Sequence, residues 1–259
     1  MTASALSDYL EDKLLDHVLG GGDYTPPANV FASLHTAALN DAGSGTEVSG
    51  NNYSRKSISN DATNFPAAVS GSKFLHVLQQ FATPSASWGT AVSAGLWDAS
   101  SAGNLLWRWD PASLAIGSGD IIQLAVDAIA FSLAGAASTY LQNKLLDLVL
   151  SGAAFTRPAT VYLAAFVSGS EVTGNNYSRK SITNNSTNFP AASGGAKNLA
   201  TDQTMASPSG SWGVVDSFRL YDASSGGNQL FTITPATPKA VGLNAPARFL
   251  ANTMQFSIS

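Results

Sequence analysis

Residues 50–58 read Gly-Asn-Asn-Tyr-Ser-Arg-Lys-Ser-Ile, and residues 174–182 read the same nine in the same order. A match of that length does not arise by chance in a chain of 259 residues, so one part of the sequence is a copy of another. Working outward fixes the extent of the copy. Ser7-Asp-Tyr-Leu-Glu-Asp-Lys-Leu-Leu-Asp-His-Val-Leu19 returns as Ser138 to Leu150, with Tyr140 answering Tyr9 at an offset of 131. Beyond Glu47, answered by Glu171, the offset falls to 124. The second copy therefore lacks seven residues of one loop. Thr63 to Ala68 returns as Thr187 to Ala192, Ser87-Trp-Gly89 as Ser211 to Gly213, and Asp98 to Ser101 as Asp222 to Ser225. Two modules follow, residues 1–134 and 135–259, joined at Ala134-Gly-Ala-Ala137. So short a join predicts a closely packed pair.

Each module has the same predicted anatomy. Residues 1 to 5 read as an unstructured lead. In Ser7–Leu19, Leu10, Leu14, Leu15 and Val18 share one helical side, opposite Glu11, Asp12 and Asp16. Ser7 is placed to cap the N-terminus, and Gly20-Gly-Gly22 stops the helix. After the breaker Tyr24-Thr-Pro-Pro27, strands are predicted over Asn29–Thr36, Tyr53–Ile58, Phe74–Phe81, Trp88–Trp97, Asn104–Trp109 and Ile121–Leu133. The loop Ala37–Gly50 and the turn Asp98–Gly103 separate them. The fold class is mainly β: two tandem β-sandwich, jelly-roll-like modules, each behind a short amphipathic helix.

Composition narrows the function. Hydrophobic residues make up 44% and charged residues only 12%, about half the usual share, with Ser, Thr, Asn, Ala and Gly in their place. Such a surface is cheaper to bury against another protein than one studded with isolated charges. Thirteen scattered Lys and Arg in a chain of net charge -4 form no basic stripe, which argues against nucleic acid. No apolar run has the length of a membrane span, and no basic segment followed by an apolar one opens the chain. The expectation is a soluble protein with neither membrane partner nor export signal. With no cysteine, disulfides and thiolate metal sites are excluded.

Catalytic equipment is not apparent. The histidines are His17, His35 and His76, set against Leu148, Ala165 and Ala200 in the second copy. No nucleophile elbow, phosphate-binding glycine loop or His-Glu-x-x-His occurs, and no cofactor or metal is expected. The acids held in both copies are Glu47/Glu171 and Asp98/Asp222. Asp98 suits a turn-capping role, and Glu47 suits an ion pair with Arg55 or Lys56. Period two over Tyr53–Ile58 puts Ile58 inward and Tyr53 with Arg55 outward. The expected contact residues are therefore Tyr53, Arg55, Tyr177 and Arg179, offered to a partner protein. Trp88 and Trp212 read as core plugs at a sandwich end, with sugar stacking the lesser alternative.

The ordered series Ser7–Gly20, Thr25-Pro-Pro-Ala-Asn-Val-Phe-Ala-Ser-Leu-His-Thr-Ala37, Gly43-Ser-Gly-Thr-Glu-Val-Ser-Gly-Asn-Asn-Tyr-Ser-Arg55, Ser85-Ala-Ser-Trp-Gly-Thr-Ala-Val92 and Leu96–Leu106 resembles small virion structural proteins of tailed bacteriophages. Members of that group are variously called tail fibre, capsid fibre or decoration proteins. The resemblance implies a non-enzymatic virion protein bound to other virion proteins. The preferred expectation is a capsid decoration or cement protein on the outer capsid surface, with the major capsid protein as partner. A tail or fibre component, adaptor or glycan-binding, is the alternative, and self-association stays open. Two modules in one chain would add avidity if both reach their sites.

Overall fold

The computed structural model describes residues 2–259. The first module runs β1 (Thr2–Leu6), α1 (Asp8–Val18), β2 (Asn29–His35), β3 (Lys56–Ser59), β4 (Ser72–Phe74), β5 (Gln79–Gln80), β6 (Gly89–Ala91), β7 (Ser93–Trp97), β8 (Leu105–Trp109), β9 (Leu114–Ile116), β10 (Gln123–Leu124) and β11 (Ile129–Ser132). The second runs α2 (Thr139–Val149), β12 (Thr160–Val167), β13 (Ser170–Glu171), β14 (Lys180–Thr183), β15 (Ala196–Asn198), β16 (Gln203–Thr204), β17 (Gly213–Val215), β18 (Ser217–Tyr221), β19 (Gln229–Ile233), β20 (Lys239–Val241), β21 (Arg248–Phe249) and β22 (Gln255–Ser257). The chain is mainly β, as expected, with one helix near the start of each module.

Helix formation follows the sequence. Ser7 stays extended (φ -86°, ψ 152°) and its Oγ accepts from Leu10 N at 3.1 Å; Ser138 does the same for Leu141 N at 3.2 Å. Leu10, Leu14, Leu15 and Val18 are all buried. Each contributes about 2 kcal/mol of gross burial.

The first sheet has the order β3-β2-β7-β8-β1-β11-β4. The lead is a strand rather than unstructured: Ser4–Leu6 pair antiparallel with Trp109–Trp107, and Thr2 and Ala3 pair parallel with Ile129 and Ala130. Small residues give no readable alternation there; the two flanking strands supply the order. Met1 lies outside the described residues. The ribbons β5–β10 and β6–β9 complete the module.

The second module repeats this plan with β14-β12-β18-β19. The join between modules occupies the place of β1. Ala137 bridges to Phe231 and Gly135 to Ile258, while Ala134 N donates to Ser259 O at 2.6 Å. Residues 134–137 are thus tied to neighbouring strands by isolated bridges and are not a free linker.

The helices lie between the modules. α1 packs on β8 of its own module and on β15 and β22 of the other; α2 packs on β19 and on β4 and β11. One continuous apolar core runs through both halves, from Leu6 to Ile258.

The missing loop segment is compensated locally. In the first module Leu39 packs on Trp97 and Leu105, and a Cβ on Gly95 would lie 2.8–2.9 Å from these three side chains. In the second module Arg219 stands at the Gly95 position, its guanidinium 3.9 Å over the Phe166 ring. An arginine takes the room that the shorter loop vacates.

Candidate functional site

The repeated nonapeptide builds one device twice. Gly50, Asn51 and Asn52 all adopt left-handed backbone (φ 70°, 50° and 68°), as do Gly174, Asn175 and Asn176 (70°, 48° and 62°). Glycine and asparagine tolerate that conformation best. The two amides then tie the turn down: Asn51 Nδ2 donates to Ser87 O (2.9 Å) and Asn52 Nδ2 to Thr83 O (2.9 Å), with Ser211 O and Ser207 O answering at 2.8 Å.

The turn delivers Tyr53 and Arg55 to Glu47. Arg55 Nε and Nη2 donate to the Glu47 carboxylate at 2.9 and 2.8 Å, and Nη1 donates to Ala99 O (2.9 Å) and Ala102 O (2.8 Å). Its guanidinium lies 4.1 Å from the Trp97 ring centroid. Tyr53 Oη donates to Glu47 Oε1 (3.0 Å) and accepts from Leu34 N (2.9 Å). In the copy, Arg179 bonds Glu171, Ala223 O and Gly226 O at 2.8 Å each and stacks 3.8 Å over Tyr221. Tyr177 repeats both Tyr53 bonds.

This geometry corrects the expected outward Tyr–Arg stripe. The side chains of Arg55 and Arg179 are only 6% exposed, and β3 begins at Lys56, so the alternation assumed for residues 53–55 does not apply. The expected Glu47–Arg55 pair does form. Burial pushes the Glu47 carboxyl up, but the bonds and charge of Arg55 outweigh it and hold it below the usual range. For Glu171 the Arg179 bonds lead, burial opposing, with the same net direction. Burial pushes both tyrosine hydroxyls up. The result is a clamp that binds three loops, with its polar groups satisfied within the module.

Other assigned residues take structural places too. Asp98 Oδ1 accepts from Asn104 N and Asp222 Oδ1 from Asn228 N, both at 2.6 Å, closing their turns. Trp88 and Trp212 are buried plugs whose Nε1 atoms donate to Asn51 O (2.9 Å) and Asn175 O (3.1 Å). Neither is an exposed platform for sugar. His35 lies opposite Glu47, as Phe166 lies opposite Glu171; its counterpart is therefore Phe166 and not Ala165.

A different surface stands out. In the β5–β10 ribbon Gln80 pairs with Gln123, and Leu78, Gln80, Ile121 and Gln123 are exposed while Gln79, Phe81 and Ile122 between them are buried. Leu78 is 48% and Ile121 66% exposed, and the two glutamines bond side chain to side chain at 3.0 Å. In the second module the same side carries Asp202 and Arg248, ion-paired at 3.1 Å, with Pro246 in place of Ile121. Beside the first ribbon a cleft of about 420 Å³ is lined by Pro66, Ala67, Phe74, His76 and Asp127. The first module thus presents Leu78 and Ile121 on an uncharged face, where its copy presents the Asp202–Arg248 pair beside an exposed Leu250.

Fold, duplication and clamp together define a tandem β-module protein whose repeated residues serve its own structure. The family described as podophage GP4 fiber I protein gp80 matches the chain twice, over residues 5–132 and 136–257, and the chain belongs to that family. No curated protein matches it.

Proposed function

We propose that the protein is a compact, non-enzymatic component of the fibre apparatus, held to a neighbouring virion protein through the uncharged β5–β10 ribbon of its first module. The family's fibre description supports the fibre location. The ribbon supports the mode of attachment: the first module exposes Leu78 and Ile121 without charge, where the second carries Asp202 and Arg248 beside Leu250. Covering both side chains is worth about 2–4 kcal/mol, more than a tenfold change in occupancy. Neither heptads nor extended repetitive strands occur in the chain, so an adaptor or junction piece fits better than a shaft.

The test is particle incorporation. Leu78→Asp with Ile121→Asp should leave the purified protein as stable as the parent while lowering its amount per virion at least about tenfold. Wild-type incorporation of the double variant would refute the ribbon. Density for the protein on the capsid shell in a cryo-electron map would instead favour the decoration reading, with the major capsid protein as partner. The low overall charge supports that second reading.

A further inference from the structure

The seam between the modules reads the same from either side. Asp16 of α1 accepts from Lys197 Nζ (2.5 Å) and Ala192 N (2.8 Å); Asp147 of α2 accepts from Lys73 Nζ (2.6 Å) and Ala68 N (2.8 Å). Asp12 accepts from Gly195 N (2.9 Å), and Asn143 from Gly71 N (2.8 Å). Asn184 donates to Val18 O (2.9 Å) and accepts from Gly20 N (2.8 Å), while Asn60 donates to Val149 O and accepts from Ser151 N, both at 2.8 Å. The helix members differ by 131 in number and the sheet members by 124, the two offsets of the duplication. Each of these contacts therefore joins one element to the copy of its partner, which is the pattern of an isologous two-fold interface; Arg157–Asp23 and His17–Phe155 are the contacts added on one side alone.

We infer that this seam is a dimer interface made continuous by duplication, and that the first half of the chain, once cut free, pairs with a second copy of itself. The donors and acceptors match for that pairing. Asp16 would meet Lys73 and Ala68 N, Asp12 would meet Gly71 N, and Asn60 would cap Val18 O while accepting from Gly20 N. His17, whose Nε2 lies 2.9 Å from Phe155 O, would meet the backbone oxygen of Tyr24 instead. The fit covers buried charge as well: Lys73 is 0% and Lys197 1% exposed, so neither tolerates a partnerless seam.

The match extends to the turn after each helix. Gly20 (φ +96°) and its counterpart Ser151 (φ 110°) take the same seat on opposite sides of the seam, Ser151 donating from its N to Asn60 and accepting at Oγ from Lys73 Nζ at 3.2 Å. Second halves therefore match one another as first halves do.

The experiment uses the whole chain with a protease site inserted between Ala134 and Gly135. After cutting under native conditions, native mass spectrometry should still find one particle of the intact mass, 26.7 kDa plus the insert. Unfolding the cut protein in urea and refolding it should give mixed pairs together with pairs of first halves. Separated halves after cutting, mixed pairs alone after refolding, or failure to recover any pair would each overturn the inference.

Discussion

Arg55 is fully engaged at the scale of one residue: two nitrogens on a carboxylate, one on two carbonyls, and a face on indole. Removing it strands the Glu47 carboxylate, so Arg55→Ala should cost about 3 kcal/mol in urea denaturation. Arg55→Lys should recover less than about half, because an ammonium cannot reproduce the planar fork. The clamp also sets a pH dependence. Glu47 and Glu171 have folded pKa values below the ordinary one of 4.5, so the charged form is favoured in the folded state. Their stabilisation is present above the ordinary value and is lost as pH falls through the lowered ones. A Glu47→Gln, Glu171→Gln protein should therefore lose less Tm than the parent between about pH 5 and pH 3. Glu11 behaves oppositely. Burial first, then Asp8, Asp41 and Asp12, push it up to about 7, so its folded-state advantage belongs to the protonated form and is lost as pH rises through 4.5 to about 7. The second module places Gln142 at this position. Glu11→Gln should raise Tm at about pH 8 and leave it unchanged at about pH 4.

At the scale of elements, the helices are held by what faces them across the seam. Asp147→Ala removes the partner of a fully buried lysine and should cost about 3–5 kcal/mol by chemical denaturation; adding Lys73→Met should restore most of it. Both helices were legible in the sequence because Ser7, the Leu10–Val18 stripe and the glycine stop all act locally. β2 and β8 were legible for the same reason. The pairs of residues forming β5, β10, β16 and β21 were not, since two residues carry no alternation and exist as strands only through their partners. The segment predicted as one strand over Phe74–Phe81 is two short ones, and Trp88–Trp97 divides between β6 and β7. The Tyr–Arg stripe failed because three left-handed residues turn the chain just before it, and period two holds only inside a ladder. The ribbon surface was not legible because Leu78 and Ile121 are far apart in sequence and come to one face only through the pairing of Gln80 with Gln123. The signal that could have found it is the charge of Asp202 and Arg248 at the corresponding places in the copy.

At the scale of the molecule, the shared core and reciprocal seam make the two modules one cooperative unit. Calorimetry should show a single unfolding transition whose calorimetric and van't Hoff enthalpies agree; two resolved transitions would contradict it. The join described above gives this unity a mechanical side. Residues 134–137 are stapled to Ile258 and Ser259 through Gly135–Ile258 and Ala134–Ser259. Tension applied through Ser259 is therefore delivered at once to the join between the modules. Both modules are then loaded together and do not yield in turn.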